Sequence, residues 1–174
     1  MSPEPRVIVP KLVMELIPEP LWGRNVRNNP RLWDKLRFPA YRATNYHCQI
    51  CDWASETVLE LESKFIARFV TTSEHSLEAH EIWEYEIDHR AKSGIQRLVG
   101  IVALCELCHR VKHWDAPMFP DAEVEMERLK RLKKHCLEVN GWTEADFAEH
   151  EAAARAELAY RNTLKWTQDL SLVL

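Results

Sequence analysis

The 174-residue chain is poor in glycine, with 4 residues, and its formal net charge is only −4 at pH 7. The scarcity of glycine argues against a linker-like chain, and the acidic balance excludes a uniformly basic protein that wraps nucleic acid, although a local basic face remains compatible with it. No apolar run approaches the roughly 20 residues that a membrane helix needs. The most apolar N-terminal stretch, residues 7–17, is interrupted by Pro10 and Lys11 and lacks the apolar region of a signal peptide. We therefore expect a soluble cytoplasmic protein that makes no contact with a membrane.

Composition and pattern divide the chain into three segments. Residues 1–45 contain seven of the nine prolines, which predicts an irregular lead-in, and Asn29-Pro30 is a typical helix start that predicts a helix at 30–44. Residues 46–116 are expected to form the core of the fold. Residues 117–174 are expected to form a helical extension packed on that core, so that the whole chain is one compact domain.

Hydrophobic periodicity predicts the elements of the core and of the extension. Residues 57–72 mix the helical and the strand period, and no element is assigned to them. The predicted elements are strands at 77–87 and 95–104 joined by a turn at 92–94, and helices at 105–114, 121–140 and 143–168. The predicted fold class is therefore α+β, with a β-hairpin followed by a short helix at its centre.

Four of the five cysteines occur as two Cys-x-x-Cys pairs, Cys48 with Cys51 and Cys105 with Cys108. In a chain without an export signal, two such pairs indicate a metal site rather than disulfides. Two thiolates from each pair complete a tetrahedron around one Zn²⁺. Because four thiolates leave no open coordination position, this zinc is expected to stabilise the fold and not to catalyse a reaction. The fifth cysteine, Cys136, lies on the apolar side of a predicted helix and is expected to be inert.

Three of the eight histidines suggest a second metal site. His109 and His113 are spaced i, i+4 on the short predicted helix, so their imidazoles share one helix face and can bind one ion. His80 lies on the first predicted strand of the hairpin. Taken alone, the i, i+4 pair is as consistent with two ordinary helix histidines as with two metal ligands.

These motifs resemble the HNH, or ββα-metal, nucleases. The resemblance rests on the first Cys-x-x-Cys pair, on LEAHEIWEY at 77–85 and on QRLVGIVALCELCHRVKH at 96–113. The sequence is similar above all to a bacterial subgroup of this family. Its members have a His-Glu first motif, a Trp-containing lead-in, and an Asn-x-Trp that precedes a C-terminal helix with Trp and Asp-Leu. The resemblance therefore spans most of the chain. It implies a zinc-braced, treble-clef-like ββα-metal core and a nuclease that acts on DNA, in a bacterial defence or mobile-element system with a protein partner.

The resemblance also implies the site residues. His80, His109 and His113 match the ligands of the catalytic divalent metal, which would be Mg²⁺, Mn²⁺, Ni²⁺ or Zn²⁺. The usual general-base histidine is replaced by Glu81, and the usual asparagine that braces the hairpin is replaced by Gly100. Glu81 is then the first candidate for the base or for the residue that orients the attacking water.

Two other residues of the hairpin remain open alternatives: His89 as the base, and Glu84 as a further metal ligand. Basic side chains that could contact phosphates are Arg24, Arg27, Arg31, Arg42, Arg90, Lys92 and Arg97, and ordinary solvation explains each of them equally well. The replacement of the base histidine and the acidic net charge also support a second hypothesis about the function. Under that hypothesis the chain is a catalytically inactive zinc module that binds nucleic acid or a protein partner.

Overall fold

The computed structural model describes residues 10–22, 26–54, 77–116 and 118–172. The unassigned segment 57–72, Arg24 and the first nine residues lie outside these ranges. Within them the protein is α+β, with a three-stranded sheet and four α-helices. No helix in the described ranges is long and apolar enough to cross a membrane.

The centre of the fold is an antiparallel hairpin of β1, Leu77–Asp88, and β2, Ser93–Cys105. The sequence-based prediction of a hairpin is confirmed, but the turn precedes the predicted one. The Asp88 side chain accepts hydrogen bonds from the backbone N–H groups of Arg90 and Ala91, at 2.8 and 2.9 Å, and so closes the turn over residues 89–92. The pairing register changes between Ile82 and Trp83.

The helices begin and end at the residues that cap them. Helix α1, Pro30–Ala43, is capped by Asn29, and α2, Glu106–Lys112, follows β2 directly. Helix α3, Ala122–Asn140, is capped by Asp121 at its start and by Gly141 at its end, and the φ of 64° at Gly141 favours glycine. Helix α4, Glu144–Arg161, opens with a capping box between Thr143 and Asp146.

The predicted helix at 143–168 is wrong over its last residues. Helix α4 ends at Arg161, and Lys165–Asp169 form β3, which pairs in parallel with the start of β2. The ring of Trp166 packs directly on Gly94, where an added Cβ would lie 2.4 Å from the ring. Because the partner of β3 lies about 70 residues away in the sequence, local periodicity did not reveal this strand.

One hydrophobic core collects side chains from each part of the chain. The lead-in contributes Leu12, Met14 and Leu16, β2 contributes Val102, and α3 contributes Leu132. All are buried. The described part of the lead-in therefore packs against the rest of the fold. The backbone N–H of Glu15 donates to the carbonyl of Lys112 at 2.8 Å, which attaches the lead-in to the end of α2.

Candidate metal centres

The two Cys-x-x-Cys pairs are brought together by the sheet. Cys48 and Cys51 lie in the turn after α1, whereas Cys105 ends β2 and Cys108 lies in the first turn of α2. Gln49 fixes the first pair to β2: its backbone N–H donates to the Ala103 carbonyl, and its side-chain oxygen accepts from the Ala103 N–H, both at 2.9 Å. Residues that are at least 54 positions apart in the sequence therefore surround one point.

The geometry of the four sulfurs fits a structural metal ion. Their Sγ atoms all lie within 4.8 Å of one another, and no disulfide joins them. The Sγ atoms of Cys51 and Cys105 are 3.6 Å apart. Two thiolates bound tetrahedrally to Zn²⁺ at about 2.3 Å would be separated by roughly 3.8 Å. A cluster of four cysteines that could hold a metal ion, as the spacing predicted, is thus present.

The ionisation of the four thiols also requires a cation. Hydrogen bonds from Cys105 and then Cys108 lower the pKa of Cys48 to about 6. The pKa of Cys108 is raised, because its thiol is hydrogen-bonded to the sulfurs of Cys105, Cys48 and Cys51 in a buried position. Four thiolates this close together repel one another, so they are all ionised only when a positive ion balances their charge.

A histidine that sequence reasoning missed lies against the cysteines. The Nε2 of His135, on α3, is 3.2 Å from the Sγ of Cys108. His135 lies 27 residues beyond Cys108, on a helix whose sequence shows only an amphipathic pattern, so no local signal marked it.

The second cluster contains the three predicted histidines. His80 lies on β1, His109 on α2, and His113 is the residue that ends α2. Their ring centroids are 4.9 to 5.2 Å apart, and one ring nitrogen of each lies within 4.8 Å of the others. The sequence-based grouping of these side chains is therefore present in the structure.

Two carboxylates orient the histidines. Glu15 of the lead-in contacts the Nε2 of His80 at 2.7 Å and also pairs with Lys112, whose side chain is only 1% exposed. Glu78 contacts the Nδ1 of His109. A carboxylate that accepts the N–H of one ring nitrogen leaves the other nitrogen free to bind a metal. The sequence offered a signal for Glu78, which lies two residues before His80 and therefore on the same face of the strand, but none for Glu15.

The histidines are held in the form that binds metals. Burial lowers the pKa of His109 and lowers that of His113 to about 2, so both imidazoles are neutral at pH 7. Burial would raise the pKa of Glu15, but its hydrogen bond to His80 and the charge of Lys112 outweigh burial and lower it. The Nδ1 of His80 is buried and has no hydrogen-bond partner among the described residues. An unsatisfied acceptor nitrogen next to two other imidazoles is an arrangement that suits the binding of a divalent metal ion.

Glu81 lies next to this cluster but is paired with Arg27. The Nε of Arg27 donates to one oxygen of Glu81 at 3.1 Å, and its Nη2 donates to the other at 2.8 Å. The same guanidinium lies 3.4 Å from the Nε2 of His109 and 5.0 Å from the ring centroid of Trp33. Arg27 therefore places a positive charge at the edge of the histidine cluster, and sequence reasoning had named it only as one of several basic residues.

A cleft of about 190 Å³ opens on His80 and His113, and its wall includes Arg161 and Tyr85. The guanidinium carbon of Arg161 lies 3.8 Å from the ring centroid of Tyr85. His89, in contrast, lies at the hairpin turn, nine residues from His80, and contacts the hydroxyl of Tyr160 at 2.6 Å. Nine residues of extended strand span up to ~30 Å, and among the described contacts of His89 none is to the three histidines.

The other basic candidates are spread over the surface. Arg31, Arg42, Arg90 and Lys92 are exposed, whereas Arg97 pairs with Asp169 at 2.9 Å. Of the described candidates, Arg27 is the one that contacts a residue of the histidine cluster.

Comparisons of this chain with protein-family models, with curated proteins and with solved structures gave no match.

Proposed function

We propose that this protein is a metal-dependent nuclease of the HNH type that hydrolyses phosphodiester bonds in DNA. The observation that carries the proposal is the convergence of His80, His109 and His113, with a buried ring nitrogen of His80 left unpartnered. The motifs at 77–85 and 96–113 that resemble the HNH family support it, because they contain these histidines. The four-cysteine cluster is proposed to hold a structural Zn²⁺.

The residues around the histidines have separable roles in this proposal. The three imidazoles would hold a divalent cation, which supplies Lewis-acid polarisation of a phosphoryl oxygen when bound. Glu15 and Glu78 fix the orientation of His80 and His109 through hydrogen bonds. The guanidinium of Arg27 lies beside His109, where it can attract a phosphate group of the substrate.

The role of Glu81 follows from its pairing with Arg27. As a general base, Glu81 would have to accept a proton from water, yet both of its oxygens already accept hydrogen bonds from Arg27. A base role therefore requires water to reach a lone pair that Arg27 leaves free, or the pair to open when the substrate binds. With the pair closed, Glu81 orients the guanidinium that faces the substrate.

The same pairing favours a second candidate function. If water reaches no free lone pair of Glu81 and the ion pair never opens, the site lacks the base that the HNH mechanism uses, and the chain is a zinc module that binds nucleic acid or a protein partner. The net charge of −4 is consistent with a chain that needs a protein partner to bind DNA.

Cleavage of supercoiled plasmid with Mg²⁺, Mn²⁺, Ni²⁺ or Zn²⁺ separates the two functions. We expect the intact chain to nick the plasmid, and we expect His113→Ala to lose at least ~10²-fold in rate. His89→Ala, at the hairpin turn, is the matched control and should cleave like the parent. Calorimetric titration with Mn²⁺ or Ni²⁺ should show one site that His113→Ala weakens. Cleavage by His113→Ala at the parental rate would contradict the proposed site, and an intact chain that binds DNA without cutting it would favour the binding module.

A further inference from the structure

Two geometric contacts bring nitrogen atoms to the sulfurs of the second cysteine pair. The backbone N–H of Cys108 lies 3.5 Å from the sulfur of Cys105. The second contact comes from a side chain outside the two pairs, that of His135.

His135 lies beside the sulfur of Cys108. Its Nε2 is 3.2 Å from that Sγ, and Cys108 is fully buried. A nitrogen and a sulfur that bind the same Zn²⁺ at about 2.0 and 2.3 Å would lie roughly 3.5 Å apart. The shorter separation fits an N–H···S hydrogen bond better than a shared metal.

We infer that His135 is a positioning residue of the cysteine site, which donates its Nε2–H to the metal-bound sulfur of Cys108. Zn²⁺ with four thiolates carries a net charge of −2 in a buried position, and each donated hydrogen bond spreads part of that charge. The inference rests on the proposed structural zinc.

The position of His135 on α3 gives this hydrogen bond a structural consequence. The four cysteines come from the turn after α1, from β2 and from α2, whereas α3 belongs to the C-terminal part of the chain. His135 therefore connects the metal site to a helix that contributes none of its ligands. Loss of the donor should speed the departure of zinc and expose the Cys108 thiolate to oxidants.

Two substitutions separate the hydrogen bond from the packing of the ring. His135→Gln keeps a side-chain N–H donor, whereas His135→Leu fills a comparable volume without one. The neighbouring Lys134→Ala is the matched control, because Lys134 is largely exposed on the same helix. The full-length chain is purified with its metal, and transfer of zinc to a chromogenic chelator is followed in each variant.

We expect His135→Leu to release zinc ~10–100-fold faster than the parent, His135→Gln to restore most of the difference, and Lys134→Ala to match the parent. Release by His135→Leu within about twofold of the parent, with zinc present in the parent, would overturn this inference alone. Absence of zinc from the parent would overturn both the proposed zinc site and this inference. Substitution with Co²⁺ provides an independent readout: the parent and His135→Leu should both show the absorption bands of four-sulfur coordination. Bands of mixed sulfur and nitrogen coordination in the parent alone would make His135 a ligand and overturn the donor role.

Discussion

The ion pair between Arg27 and Glu81 gives the sharpest prediction, because it decides how Glu81 contributes to the site. We consider Arg27→Met, which keeps most of the length of the side chain but removes its donors. The substitution deletes two hydrogen bonds to Glu81, at 3.1 and 2.8 Å, and a third to the carbonyl of Ala79 at 3.1 Å. The Glu81 side chain, only 6% exposed, would then be a buried carboxylate without its partner.

The expected cost follows from the burial of the two partners. Breaking a fully buried ion pair costs about 3–5 kcal/mol, but the Arg27 side chain is 37% exposed, so water can hydrate the carboxylate once the guanidinium is gone. We therefore expect a loss of about 2 kcal/mol in the free energy of unfolding. For a chain of this length the loss corresponds to a decrease of ~4–8 °C in Tm.

A double-mutant cycle tests the assignment through a change of sign. In the parent, Glu81→Gln should destabilise the protein, because it weakens the ion pair. In the Arg27→Met background the same substitution should be neutral or stabilising, because it removes an unpaired buried charge. The assay is chemical denaturation at saturating zinc, with the exposed Arg31→Met as control. Equal effects of Glu81→Gln in both backgrounds would refute the ion pair. Plasmid nicking by the same variants then shows whether Glu81→Gln also loses the ~10²–10⁴-fold expected for a general base.

Three further predictions concern the metal site and the packing around it. Cys108→Ser should yield unfolded or insoluble protein without zinc, because a structural zinc contributes on the order of 10 kcal/mol, whereas Cys136→Ser should keep one zinc per chain in elemental analysis. Gly94→Ala should lower the free energy of unfolding by about 1–3 kcal/mol, because its Cβ would meet the ring of the β3 tryptophan at 2.4 Å; an unchanged free energy of unfolding in chemical denaturation would contradict the packing of β3. Glu15→Gln should lower the free energy of unfolding by about 3 kcal/mol, because it deprives the buried Lys112 of its carboxylate partner, and Lys112→Met should lower it by less. Equal costs in thermal denaturation would mean that the pairing is not what stabilises this contact.

The parts of the site that sequence predicted are those set by short-range rules. A Cys-x-x-Cys spacing brings two sulfurs together in one turn, and an i, i+4 spacing puts His109 and His113 on one face of α2. Alternation along β1 also contains the information that Glu78 shares the face of His80. These relations hold within a few residues, so they can be recognised before the fold is known.

Such short-range rules could not predict the residues that contact the candidate metal ligands and Glu81. Glu15 contacts His80 from 65 residues away, Arg27 contacts Glu81 from 54 residues away, and His135 reaches Cys108 from another helix. Each lies in a segment whose own pattern predicts only a coil or an amphipathic helix. Their roles arise from where the segments pack, which local periodicity does not encode.

The sequence by itself determined the two sets of candidate metal ligands, the hairpin and short helix that hold most of them, and most helix boundaries, because spacing and capping are local properties of the chain. Only the tertiary structure decided that 165–169 forms a strand, since its partner is the distant start of β2 and its packing depends on the bare backbone of Gly94. Only the tertiary structure also decided that both oxygens of Glu81 are engaged by Arg27. The physical reason is the same in both cases: burial and long-range contacts select one conformation and one partner among several that the local sequence permits equally.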